Sequence, residues 1–166
     1  MSKELLFIGQ ALPEKPTDYP FARSRLYKWL EKIGLNKEQV LEIAMFNAVL
    51  DFYPGKNGRA DRHPTWQEIL KNQNRLGDLV NTINPKVIVA IGKIAVQAIL
   101  NTNEKIELVD FVGKKFEIIP FNIGDKVYPV IVLPHPSGLS TWIYKSDNQE
   151  LLDKALNEIR KCLDKI

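Results

Sequence analysis

Lys86-Val87-Ile88-Val89-Ala90-Ile91-Gly92-Lys93 is the stretch on which the reading of the fold turns. Its unbroken apolar, mostly β-branched centre is too short for a buried helix and shows no polar alternation, so it predicts a strand covered on both faces. Residues 94–100 return to a helical pattern with only Gly92-Lys93 between, and a buried strand turning straight into a helix is half of a β-α-β unit. Upstream, Thr65 followed three residues later by Glu68 forms a capping box. That helix runs through Leu70, Leu76, Leu79 and Ile83 to Asn84-Pro85. Farther back, Ile43-Ala44-Met45-Phe46-Asn47-Ala48-Val49-Leu50 reads as another buried strand after a short helical or turn segment at 38–42. Leu5-Leu6-Phe7-Ile8, ended by Gly9, is the first strand. Leu26, Trp29, Leu30 and Ile33 share one face of a helix expected from Phe21 to Gly34, with Trp29 in the core.

Downstream, residues 108–117 around Gly113 read as a turn or hairpin, and 118–123 have no defined pattern. Pro129-Val130-Ile131-Val132-Leu133-Pro134 is a fourth strand, and 148–165 form an amphipathic helix through Leu151, Leu152, Ala155, Leu156, Ile159 and Leu163. Strands alternating with helices predict a three-layer α/β/α sandwich with a central, mostly parallel, four-stranded sheet. Residues 1–166 are expected to form a single domain.

The chain has 166 residues and a net charge of +3, a mild basic excess that permits a polyanionic partner without arguing for one. One cysteine, Cys162, excludes an internal disulfide, a four-cysteine zinc site and a cysteine-ligated iron–sulfur cluster. The first apolar run, Leu5 to Ile8, is too short for a secretory segment, and no run approaches membrane-spanning length. A cytoplasmic monomer is the expectation, with no metal and no membrane.

Chemistry concentrates where strands end. His135 follows the fourth strand in a tight loop, His135-Pro136-Ser137-Gly138-Leu139-Ser140, and the carboxyl ends of strands are where open α/β sheets bind ligands. Such a histidine is either functional or satisfied by nearby backbone. Asn47 interrupts an apolar strand, and burying an amide unpaired costs about 1 to 3 kcal/mol, so backbone, water or a ligand must satisfy it. Residues 9–20 hold Pro13, Pro16 and Pro20 with the acids Glu14 and Asp18, a long loop of the kind that is often functional. Gly92-Lys93 opens a helix whose first amides suit a phosphate. Residues 51–63 read as a surface loop whose cations form a solvated face.

In this order the pieces resemble the uracil-DNA glycosylase superfamily, nearly end to end. The 135–140 loop is similar to the family's His-Pro-Ser-Pro-Leu-Ser loop, and Gly9-Gln10-Ala11-Leu12-Pro13 sits where the family carries Gly-Gln-Asp-Pro-Tyr or Gly-Glu-Ala-Pro-Gly. Phe46-Asn47-Ala48-Val49-Leu50 is similar to the strand whose asparagine reads the uracil edge. Pro20-Phe21, Pro54-Gly55 with Asn57 and Arg59, the 85–92 strand and Gly113 to Glu117 resemble the thermophile-type branch, which usually carries an iron–sulfur cluster. This chain lacks the cysteines for one.

The resemblance implies cleavage of the glycosidic bond of uracil, or a related deaminated base, in DNA after the base is flipped out. It implies that Phe21 stacks on the base and that Asn47 pairs with its O4 and N3 edge. Gly9 and Ala11 would line the pocket and His135 would donate to O2 as charge builds there. Leu139 would wedge into the vacated stack, with Gly92, Lys93, Ser137 and Ser140 at phosphates. Two departures leave water activation unassigned: Ala11 stands where one branch has an aspartate, and Gln10 where the thermophile-type branch has a glutamate. Glu14 and Asp18 in the same loop are the candidates, beside their reading as ordinary solvated acids. The alternatives are a catalytically weak or inactive DNA-binding member of the fold, a hypoxanthine or xanthine glycosylase, and a small nucleotide-binding α/β protein.

Overall fold

The computed structural model describes residues 3–137 and 141–164. The four expected strands are β1 (Leu5–Gly9), β2 (Ala44–Ala48), β5 (Val87–Ile91) and β7 (Tyr128–Leu133), all parallel. Every residue of β1 and β5 is buried, as their continuous apolar sequence requires of strands covered on both faces. A fifth strand, β6 (Lys115–Ile118), pairs antiparallel with β7, giving the sheet order β2-β1-β5-β7-β6. The count of four is therefore corrected to five. The edge strand Lys115-Phe116-Glu117-Ile118 alternates charged and apolar residues, so it lacks the apolar run that marks the central strands.

Helix α3 (Trp66–Ile83) starts at the expected capping box, with Thr65 Oγ1 accepting from the Glu68 amide and Glu68 Oε1 from the Thr65 amide. It packs with α4 (Lys93–Leu100), and the buried Gln73 links them by donating to the Ala98 carbonyl at 2.8 Å. Helices α1 (Leu26–Glu31) and α5 (Ser146–Asp164) are joined by the exposed ion pair Lys32–Asp153, and α5 covers β5 and β7. The short α2 (Lys37–Ile43) leads into β2.

Two local expectations change. The first helix starts at Leu26, not Phe21, because Phe21 sits at φ 59°, in the left-handed region that a helix cannot use. Trp29 is nonetheless core, at 4% exposure. Within 51–63, the exposed pairs β3 (Lys56–Asn57) and β4 (Ala60–Asp61) form a hairpin across Gly58, whose φ of 70° is one that glycine accommodates freely.

The four parallel strands end on one edge. The neighbours β1 and β5 lead to connections that run opposite ways, toward β2 and toward β7, and the crevice at such a reversal is where open sheets bind ligands. Gly9, Gln10, Asn47, Gly92 and His135 all come from this edge.

Candidate functional site

The ends of β1 and β2 are laced together beyond the sheet, Val49 N donating to Gly9 O at 2.9 Å and Leu50 N to Gln10 O at 3.1 Å. Against this corner lies Phe21, half-buried. Tyr27 holds the residue before it by donating its hydroxyl to the Pro20 carbonyl, and Ser24 donates to the Phe21 carbonyl at 2.8 Å. Burial, with neighbouring Tyr19 adding to it, pushes the Tyr27 hydroxyl up to about 12, so it stays a donor at any ordinary pH. The Phe21 ring tilts toward Phe46 at 6.0 Å, and Phe46 stacks on Phe7 at 4.8 Å, an aromatic row that runs from the middle of β1 and β2 out to Phe21. A Cβ on Gly9 would lie 3.3 Å from Phe21 Cζ, so this glycine lets the ring close on the backbone.

The amide of Asn47 has its Oδ1 engaged twice, by its neighbour Ala48 N at 2.9 Å and by Arg75 Nη1 at 2.8 Å. The partner this polar residue demanded in an apolar strand is therefore an arginine 28 positions away on α3. Its Nδ2 has no acceptor among the described residues.

His135 leaves β7 with Ser137 N donating to its Nδ1 at 3.2 Å. An N–H pointing at Nδ1 makes that atom the unprotonated one, so the neutral ring carries its proton on Nε2. The ring is solvent-accessible, yet the protein mass around it displaces enough water to push its pKa below the ordinary histidine value. The charge of Asp61 opposes this shift, and His63 adds to it. Arg25 ties the loop down: its backbone N donates to Pro136 O at 3.0 Å and its guanidinium donates to the Ser137 carbonyl. Beside it, at the end of the adjoining strand β5, Gly92, at φ 85°, would place a Cβ 4.0 Å from His135 Cδ2. Gly9, Gln10, Phe21, Asn47, Gly92 and His135 thus converge on this edge.

The acids do not join them. Glu14 is exposed and ion-paired at 3.6 Å with Lys56 of the hairpin. Asp18 is exposed and caps no helix, since α1 begins eight residues later and is preceded by Arg25 without a side-chain cap. Ala11 is half-buried and Lys93 is exposed at the start of α4, where its charge is felt by Glu107. Ser137 lends its backbone to His135 and Arg25, whereas Leu139 and Ser140 lie outside the described residues. Arg75, Arg25 and Asp61 were not singled out in the sequence. For Arg75 the available signal was the unmet demand of Asn47.

An aromatic face, an amide and an imidazole N–H suit a flat ring bearing carbonyls better than a bare phosphate. The family model of the uracil DNA glycosylase superfamily matches residues 2–160, so the chain belongs to that superfamily of DNA glycosylases, hydrolases of base excision repair. A relative, the Type-4 uracil-DNA glycosylase of Archaeoglobus fulgidus, is 28% identical over 168 residues, covering 98% of this chain and 78% of the relative. This agrees with the resemblance to the thermophile-type branch. The cluster usual in that branch does not fit the residues present, because the chain's one cysteine, Cys162, is buried in α5. Among the described residues no group of three or more His, Cys, Asp or Glu is gathered as for a metal ion, and no helix is long and apolar enough to cross a membrane.

Proposed function

We propose that this protein hydrolyses the N-glycosidic bond of uracil in DNA, acting as a cytoplasmic monomer on a base flipped into the crevice between Phe21, Asn47 and His135. The observation that supports this best is a match of donors to acceptors. Asn47, with its oxygen engaged, and His135, with Nδ1 engaged, each keep an N–H to offer, and uracil carries carbonyls at positions 2 and 4. Phe21 takes the face of the ring. Cytosine would bring an amino group against the Asn47 N–H, donor against donor.

Bond cleavage leaves negative charge on the departing base and cationic character on the sugar. His135 Nε2–H meets the charge growing on O2. Its lowered pKa keeps the ring neutral, and a neutral donor is sufficient for this role. Removing such a donor costs about 3 to 4 kcal/mol of barrier in a well-studied enzyme. On the sugar side, Gln10 orients a water but cannot take its proton. Glu14 shares its charge with Lys56, so catalysis rests mainly on leaving-group stabilisation. Leu139 fills the vacated stack, and Lys93, Gly92, Ser137 and Ser140 meet phosphates.

The test is incubation with a single-uracil oligonucleotide followed by detection of abasic sites. Uracil release by the wild type supports the proposal. Tight DNA binding with no base released would favour the alternative that Ala11 and Gln10 suggest, a DNA-binding member without catalysis.

A further inference from the structure

The amide at the centre of this reading is held by another element. Arg75, in mid-α3, donates from Nη1 to Asn47 Oδ1 at 2.8 Å and from Nη2 to the carbonyls of Ala48 and Val49 at 2.9 and 3.0 Å. Its Nε and Nη2 also donate to Asn72 Oδ1 at 3.1 and 3.0 Å. Asn72 is itself turned the right way by its Nδ2, which donates to Glu68 O at 2.8 Å. The exposed Asp51 carboxylate stands 3.9 Å from Nε. A guanidinium has only donors, so the Asn47 atom beside it has to be the oxygen, and the Ala48 N–H occupies the same atom from a second direction.

We infer that Arg75 is the positioning residue that sets base choice: by holding Oδ1 it makes Asn47 an N–H donor only. The pocket then selects a carbonyl opposite Nδ2 and takes no reading of the ring N–H beside it. This inference rests on the glycosylase reading above and changes its content. The two-point pairing with O4 and N3 becomes a single contact, and the admitted class is any fitting base with a carbonyl at that position. Uracil and hypoxanthine belong to this class. Cytosine and adenine present amino groups there and are refused. Without Arg75 only the Ala48 N–H holds Oδ1, and the amide turns over more readily to offer its oxygen to an amino group.

Arg75→Met keeps the aliphatic stem and removes every donor, whereas Arg75→Lys keeps a cation. Single-turnover release of uracil and of cytosine from matched oligonucleotides is measured for the wild type and both variants. The Asn47 side-chain amide is followed by ¹H–¹⁵N NMR in the ligand-free protein. Cytosine release should rise relative to uracil release by about 10- to 100-fold in Arg75→Met, the range for one hydrogen bond to a charged group, and Arg75→Lys should restore most of the discrimination. The Asn47 amide should be rigid in the wild type and mobile in Arg75→Met. No rise in cytosine relative to uracil overturns the inference and leaves Arg75 a structural brace, as does a mobile amide in the wild type. If the wild type releases no base, the glycosylase reading fails on its own. A rigid wild-type amide loosened by Arg75→Met still supports the clamp, and a mobile one removes it. Should Arg75→Met not fold, Arg75→Lys and the wild-type amide decide in the same sense.

Discussion

The ends of β1 and β2 lie side by side at one sheet edge and are built in opposite ways. At the end of β2, Asn47 sits in a network that fixes each neighbour in turn, from Glu68 through Asn72 and Arg75. Past the end of β1, backbone bonds hold Gly9 and Gln10, but the loop's acids face solvent, Glu14 toward the exposed Lys56 and Asp18 toward no described partner. An exposed pair such as Glu14–Lys56 contributes about 0 to 1 kcal/mol and imposes little geometry. The contrast teaches that this molecule fixes the Asn47 amide and the His135 ring by hydrogen bonds and leaves the carboxylates of the neighbouring loop free to move in solvent.

Asn47→Asp breaks the better-built side. The carboxylate stays neutralised by Arg75, so melting temperature should hold, but the N–H donor is gone. Single-turnover uracil release should then fall by about two orders of magnitude or more, because a site built to hydrogen-bond one group loses heavily when the match fails. Activity equal to wild type would remove Asn47 from base recognition. Gly9→Ala probes the seam between the two sides. Its Cβ at 3.3 Å from Phe21 Cζ forces the ring to shift by a few tenths of an ångström. A roughly tenfold loss in kcat/KM is expected, because small misplacements of a binding group are costly. Its crystal structure should show Phe21 displaced, and an unmoved ring with full activity would contradict this.

The smallest effects are in stability against pH. The folded pKa of His135 lies below the ordinary histidine value of about 6.5, so the unfolded chain takes the proton first as pH falls. Stability from this group is fully present above 6.5 and declines below it, and His135→Gln should flatten the melting temperature between pH 7 and about pH 5. Glu68 acts in another window. Hydrogen bonds from Arg62 and then the Thr65 backbone hold its carboxyl down to about 2, so its contribution is complete above 4.5 and lost as pH falls toward 2. Glu68→Gln should remove that acid slope in thermal melts and leave the His135 slope in place.

Much of this was legible in the sequence, for identifiable reasons. Continuous apolar runs gave away β1, β5 and β7, and Thr65 with Glu68 marked the start of α3 to the residue. The edge strand β6 and the hairpin were not visible, since four- and two-residue strands with charged side chains carry no buried run. The periodic pattern from Phe21 does not become helix until Leu26, because the left-handed backbone of Phe21 is set by tertiary anchors, Tyr27 on Pro20 among them. At the site, the polar interruption at Asn47 announced that a partner was required. Nothing in the local pattern of α3 distinguished Arg75 from its other polar residues, because the contact is made only when α3 docks on the sheet.

The central claim is that base departure is driven by His135 and the fixed amide rather than by an acid in the β1 loop. Single-turnover release of uracil from a duplex oligonucleotide, measured for wild type, His135→Ala, Glu14→Gln and Asp18→Asn beside their melting temperatures, tests it most directly. His135→Ala should be slower by about 100- to 1,000-fold, with both acid variants within a fewfold of wild type. An acid variant that stays folded and is as inactive as His135→Ala would contradict the account and identify that carboxylate as the base for the water.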